Sequence, residues 1–275
     1  MVIKTFYLKD LDQRFKDTDA NFTFYQSNLN TDLPHPAKRP GLFICPGGGY
    51  QFVSNREAEP VALSFICEGF NCFVLTYSIN KMYPTPHLEA AFAMNYIREH
   101  YQDFDLIDEN LSIIGFSAGG HLATSFAYLY PCLADSLHVN TKNIRPFAVI
   151  AGYPVISTDL SFSHEGTIRT ITGDDEELIK LLSVENNITK DYPPTFVYHS
   201  EDDGLVPVKN SYVFIEALKA NNIPYQADIF SHAVHGGSIY LRGVYDDFQE
   251  THKKALDNFI WVRHASEFIF SFLKK

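Results

Sequence analysis

A strand-to-helix step of the form glycine–X–serine–X–glycine, Gly115-Phe116-Ser117-Ala118-Gly119, stands directly after the apolar run Leu111-Ser112-Ile113-Ile114. A buried strand that ends this way and passes at once into a helix has one tight solution. The serine backbone is strained, and glycine is needed on either side because side chains there would collide. The turn lifts the Ser117 hydroxyl to the end of a sheet, at the N-terminus of the next helix, where developing negative charge is favoured. The pentapeptide alone recurs by chance in roughly one chain in ten of this length. Its meaning rests on what surrounds it.

The surroundings repeat one alternation. Two short alternating runs, near Ile3–Leu8 and Asn21–Gln26, suit antiparallel edge strands. A polar, proline-bearing link from Asn30 to Pro40 leads to the buried strand Gly41–Cys45, halted by Pro46-Gly47-Gly48-Gly49-Tyr50. Arg56 to Glu68 reads as helix, Phe73–Tyr77 as strand, Leu88–His100 as helix and Leu111–Gly115 as strand. Beyond the step, a helix is expected over about Ala118 to Leu129, then strands Pro146–Ile150 and Thr195–His199. A helix near Val208–Asn221, a strand near Tyr225–Phe230 and a long helix from Thr251 to Lys274 close the chain. This is an α/β pattern: βαβ units, a mostly parallel central sheet and helices on both faces, a three-layer sandwich. No repeat or linker divides the sequence, so residues 1–275 read as one domain. Ser157 to Pro194 is its least regular part. It reads as a surface loop with one helix opening at Asp174-Asp175-Glu176-Glu177, or as a small excursion over the site.

Composition narrows the partners. With 45% apolar residues the chain can bury a large core, and a net charge of -11 opposes nucleic acid, anionic lipid surfaces and strongly anionic substrates. The first residues lack a signal peptide's apolar region, and no stretch approaches the ~20 apolar residues that cross a bilayer. Cys45, Cys67, Cys72 and Cys132 have neither metal-ligand spacing nor a paired framework and are expected to be reduced thiols. The expectation is a soluble cytoplasmic protein with no membrane partner.

A serine hydroxyl that acts as a nucleophile needs a base to take its proton and an acid to hold that base. On such a sheet the partners follow in the order serine, acid, histidine, from loops at the strands' C-terminal ends. The acidic turn Ser200-Glu201-Asp202-Asp203-Gly204-Leu205-Val206-Pro207 follows a late strand. Asp203 is the preferred acid, three residues before Val206-Pro207 turn the chain into its next helix, and Asp202 is the other candidate. His235, in a loop after a strand and followed by Gly236-Gly237, is the preferred base over His232. His35, His87, His138, His164 and His252 read as ordinary polar residues, and His121 as a packing residue behind the serine. After the early strand, the N–H groups of Gly48 and Gly49, with that of Ala118, are placed to form an oxyanion hole. A phosphate-binding role for the triple glycine is disfavoured, because no lysine lies in the loop and no phosphate fingerprint follows.

These blocks resemble a known group. Pro46-Gly47-Gly48-Gly49-Tyr50, Ser54-Asn55-Arg56-Glu57, Gly115 to Ala123 and Asp203-Gly204-Leu205-Val206-Pro207, with His235-Gly236, run in the order found in α/β-hydrolase esterases of the acetyl xylan esterase-like type. The resemblance covers about residues 20 to 275. It implies a Ser-Asp-His carboxylesterase that cleaves short acyl groups, often acetyl esters of sugars, with no metal or cofactor and a small-molecule ester as partner. Pro46 stands where hormone-sensitive-lipase-type esterases carry a histidine, which points away from long-chain lipases. Tyr50, beside the hole, is expected to face a sugar ring. Two other readings remain: an amidase or peptidase of the same fold, arylformamidase- or aminopeptidase-like, and a hydrolase-like binding protein, which should lack a triad member.

Overall fold

Leu42-Phe43-Ile44-Cys45 has no polar side chain, so both faces of that strand must be covered. The rest of the fold follows from satisfying such strands. The computed structural model of the chain describes residues 1–28, 38–241, 244 and 256–273. The strands are β1 (Val2–Tyr7), β2 (Asn21–Gln26), β3 (Arg39–Cys45), β4 (Asn71–Thr76), β5 (Leu106–Phe116), β6 (Val149–Gly152), β7 (Thr195–Ser200) and β8 (Tyr225–Phe230). The helices are α1 (Leu8–Leu11), α2 (Glu59–Cys67), α3 (Thr85–Glu99), α4 (Ala118–Leu137), α5 (Thr141–Ile144), α6 (Glu165–Thr172), α7 (Glu176–Leu182), α8 (Lys209–Ala220) and α9 (Ile260–Phe272).

The described strands form one eight-stranded sheet in the order β1-β2-β4-β3-β5-β6-β7-β8. β2 pairs antiparallel with β1 and β4, and every other pairing is parallel. Alternate residues of the central strands divide two cores, as period-two geometry requires. Phe43, Phe73, Ile113 and Val197 face Phe92 of α3, Phe126 of α4 and Phe214 of α8. Leu42, Val74, Ile114 and Phe196 face Val61 and Phe65 of α2 and Trp261 and Ile269 of α9. This is the three-layer α/β-hydrolase sandwich that the resemblance implied. No helix among the described residues is long and apolar enough to cross a membrane.

The chain passes from β3 to β4 on one side, then returns past β3 to form β5 on the other. Ligands of open α/β sheets bind where the strand order reverses in this way. The loop after β3 and the step after β5 therefore lie side by side, in a register that pairs Cys45 with Gly115.

Several boundaries differ from expectation for local reasons. β5 begins at Leu106, because the polar run Asp108-Glu109-Asn110 conceals its first half in the sequence. α4 continues through Pro131 to Leu137, since Leu133, Ala134 and Leu137 are buried and packing outweighs the lost N–H. β6 starts at Val149, not Pro146. Between β6 and β7 the structure holds two helices, α6 and α7, where one was expected. The C-terminal helix proper runs from Ile260, after a 3-10 turn at Leu256–Phe259. The expected helix residues 251–255 and 274, the link residues 30–37, and His35 and His252 lie outside the described residues.

The tight step depends on bare glycines. A Cβ on Gly115 would lie 1.9 Å from the Gly119 carbonyl oxygen, and one on Gly119 would lie 2.1 Å from the Cys45 oxygen. Gly119→Ala is expected to lower unfolding stability by at least about 3 kcal/mol, because backbone would have to move. Urea denaturation checks this, and an unchanged midpoint would contradict it.

Candidate active site

Ser117 sits at φ 52°, ψ −118°, a conformation that non-glycine residues rarely adopt. Three hydrogen bonds hold it there. Its N–H donates to Gly152 at 3.0 Å, and its carbonyl accepts from Val155 at 3.1 Å and His121 at 3.0 Å. β6 and α4 thus fix the backbone and leave the side chain at the mouth of a cavity.

The structure brings together Ser117, His235 and Asp203, which lie far apart in sequence. Ser117 Oγ is 2.9 Å from His235 Nε2, and His235 Nδ1 is 2.7 Å from Asp203 Oδ2. An ionised carboxylate only accepts, so Nδ1 carries the proton and Nε2 is left to accept from the serine hydroxyl. Asp203 is almost completely buried. Burial raises its pKa, but hydrogen bonds from His199 and His235, helped by the Val206 N–H, outweigh burial and hold the carboxyl well below its usual range. Its other oxygen accepts from Leu205 N–H at 3.0 Å and Val206 N–H at 2.9 Å.

The two other candidates pair with each other. His232 Nδ1 is 3.1 Å from Asp202 Oδ2, both side chains are largely exposed, and Asp202 also accepts from the Ala233 N–H at 2.8 Å. This pair fastens the loop carrying His235 to the turn carrying Asp203. His199, not singled out in the sequence, is fully buried. Its Nε2–H faces the Val206 carbonyl at 2.9 Å and Asp203 Oδ2 at 3.2 Å, while Nδ1 meets Ser211 Oγ at 2.7 Å. A histidine inside an apolar strand, four residues before an aspartate, was its visible signal.

The glycine loop turns through Gly48 at φ 123° and Gly49 at φ 64°. Its internal hydrogen bonds use the Gly47 and Gly48 carbonyls, and among the described residues none takes up the N–H of Gly48 or Gly49. Ala118 opens α4, so its N–H also lacks a partner within the helix. Gly47 approaches so closely that a Cβ there would lie 2.9 Å from that of Ser117.

Beneath this loop lies a buried residue whose part the sequence did not reveal. Glu57 accepts from the Gly47 N–H at 2.7 Å and from the Tyr153 hydroxyl at 2.7 Å. Tyr153 in turn accepts from the Ser238 N–H at 3.0 Å, and its ring stands edge-on to His235 at 5.0 Å between centroids. Burial raises the Glu57 pKa, and the hydrogen bonds from Tyr153 and Gly47 work against that rise. One carboxylate therefore ties the glycine loop to the histidine loop.

Tyr50 requires a correction. Its own φ of 60° turns the ring inward, where it is fully buried and donates to His121 Nδ1 at 3.0 Å. It does not face the cavity, and Phe52, 61% exposed, is the aromatic residue at the rim. His121 donates through Nε2 to the Leu182 carbonyl at 2.9 Å, which fixes the tautomer and fits its expected packing role.

The cavity measures about 580 Å³ and is lined by Ser117, His235, Gly48, Gly49, Phe52 and Leu205, with His164 from the β6–β7 excursion. Sequence alone gave His164 no role in the site. No helix was expected at Glu165–Thr172, so nothing in the sequence marked His164 as its cap. A hydroxyl, an imidazole and a carboxylate in line, beside unclaimed N–H groups, can move a proton from oxygen to nitrogen and bind a developing oxyanion.

The profile of the BD-FAE family matches residues 32–218. An endo-1,4-beta-xylanase B from Butyrivibrio fibrisolvens is 34% identical over 209 residues, covering 72% of this chain and 32% of that protein. An acetylxylan esterase from Xylanibacter ruminicola is 28% identical over 214 residues, covering 74% of this chain and 42% of that protein. The chain thus spans 32% to 42% of the length of these relatives. An acetyl ester-xyloside bifunctional hydrolase from Caldicellulosiruptor lactoaceticus superposes with a TM-score of 0.76 at 28% identity, covering 93% of this chain and 89% of that one.

The burial of His121 has a measurable consequence. Desolvation pushes its pKa from 6.5 down to about 4. Below pH 6.5 the unfolded chain takes up a proton that the folded chain refuses, so stability falls as pH drops through this window and levels off below about 4. The expected share of His121 is on the order of 3 kcal/mol. His121→Gln should flatten the pH dependence of urea stability between pH 7.5 and 4.5 by about that amount. An unchanged slope would contradict the assignment.

Proposed function

Because the chain belongs to the BD-FAE family of α/β-hydrolases, we propose that it is a serine carboxylesterase that removes short acyl groups, above all acetyl, from sugar or xylo-oligosaccharide esters. The observation that carries this reading is the unbroken line from Ser117 Oγ through His235 to Asp203, at 2.9 Å and 2.7 Å. The names of the acetylxylan esterase and of the bifunctional hydrolase support the substrate class. The xylanase name belongs to a relative of which this chain spans 32%, and glycosidic cleavage is not carried over.

In the proposed reaction His235 Nε2 takes the proton of Ser117 Oγ as the oxygen attacks the acyl carbonyl. The N–H groups of Gly48, Gly49 and Ala118 hold the resulting oxyanion, and Asp203 stabilises the imidazolium. The tetrahedral species collapses as His235 gives the proton to the departing alcohol oxygen. Water, deprotonated by the same nitrogen, then attacks the acyl-serine. Carboxylic acid leaves, and the proton returns to Ser117 Oγ. Phe52 and Leu205 at the rim suit a small substrate with one apolar face. Residues 1–275 are taken as one domain, with 157–194 as an excursion beside the cavity. The four cysteines are free thiols, two of them buried, which fits the reducing cytoplasm.

The test compares wild type with Ser117→Ala and His235→Ala on 4-nitrophenyl acetate, 4-nitrophenyl butyrate and acetylated xylo-oligosaccharides. Wild type is expected to prefer acetate and to release acetate from the sugars, with each variant at least about 10³-fold slower. Hydrolysis of aminoacyl or formyl anilides with no ester turnover would contradict the proposal.

A further inference from the structure

We propose that His164 is a substrate-binding residue whose Nε2–H donates a hydrogen bond to an oxygen on the alcohol portion of the ester, a sugar hydroxyl or ring oxygen. The inference rests on the esterase reading and deepens it. His164 precedes α6 and caps it: Nδ1 accepts from the Thr167 N–H at 3.2 Å and meets Thr167 Oγ1 at 2.8 Å. A backbone N–H can only donate, so Nδ1 must be the unprotonated nitrogen and the proton sits on Nε2. The half-buried ring lines the cavity with Ser117 and His235. No hydrogen bond or ion pair within the described residues engages Nε2.

The donor is held in place. Gln51 Nε2 donates to Thr170 Oγ1 at 3.2 Å, which joins the glycine loop to α6. The His164 ring lies 3.9 Å from where a Gly49 Cβ would stand, so it borders the oxyanion loop directly. Burial, and after it the His235 imidazolium when it forms, lower the His164 pKa and so favour the neutral ring.

The chemistry of the substrate decides which end the donor meets. An acetyl group carries one carbonyl oxygen, and the N–H groups of Gly48, Gly49 and Ala118 are there to take it. Any further acceptor within reach therefore belongs to the alcohol. A polyhydroxylated alcohol offers such oxygens at every carbon, whereas a simple phenol or alkanol offers none beyond the ester oxygen. A ring donor with a fixed tautomer in the cavity that holds the leaving-group base can bind one of those sugar oxygens.

The test uses His164→Asn, because asparagine is a good N-cap and keeps α6 closed while it removes the imidazole and its Nε2–H. Phenyl acetate and a monoacetylated methyl xyloside are compared on the intact chain, with thermal unfolding as a check on the fold. The variant is expected to raise KM for the acetylated xyloside roughly three- to tenfold, the value of one neutral hydrogen bond. It should leave kcat and KM for phenyl acetate within about twofold. Equal losses on both esters, or no change on either, would overturn the role assigned to His164. Failure of the wild-type chain to cleave either ester would instead overturn the esterase reading.

Discussion

The contact on which the rest depends is backbone against backbone at the point where the strand order reverses. Gly119, in the first turn of α4, lies so close to the end of β3 that no Cβ fits between it and the Cys45 and Pro46 carbonyls. That closeness brings the glycine loop beside Ser117, whose backbone stands at positive φ. Any larger residue at these positions would push apart the glycine loop and the start of α4. The apolar strands on either side make the arrangement rigid, since each is locked by a core on both faces.

Polar chemistry is then sorted by burial. Two aspartates stand next to each other in the β7 turn and two histidines three residues apart in the β8 loop. The structure pairs Asp203 with His235 inside and Asp202 with His232 outside. The inner pair is short and supported by His199, Leu205 and Val206. The outer pair is solvated and contributes little energy alone, yet it fixes the loop that carries the inner histidine. Glu57 does the same between loops. Its carboxylate links Gly47 to Tyr153, and Tyr153 links on to Ser238, just beyond His235. In the proposed reaction, nucleophile, base and oxyanion donors are thus positioned before substrate arrives, which is how electrostatic catalysis avoids reorganisation at the moment of reaction.

Much of this was legible in the sequence. The alternation of short apolar strands with helical runs gave the layers. The order serine, acid, histidine gave the residues that the fold brings together. What stayed hidden has a common cause: it depends on contacts between distant segments or on backbone handedness. Glu57 meets Tyr153 across 96 positions. Tyr50 points inward because three successive residues have positive φ, and residue type alone does not reveal that. α4 outlasts Pro131 because its far end is buried, which propensity does not register. His164 reads as an ordinary polar residue until α6 is docked on the glycine loop.

What the proposed reaction requires is activation of Ser117 by His235 inside this preorganised cavity. It is tested most directly by incubating the chain with a 4-nitrophenyl alkylphosphonate and mapping the label by peptide mass spectrometry. One phosphonyl group per chain is expected, on Ser117, formed rapidly in wild type and far more slowly in His235→Ala. A folded wild-type chain that stays unlabelled, or that carries the label on another residue, would contradict it.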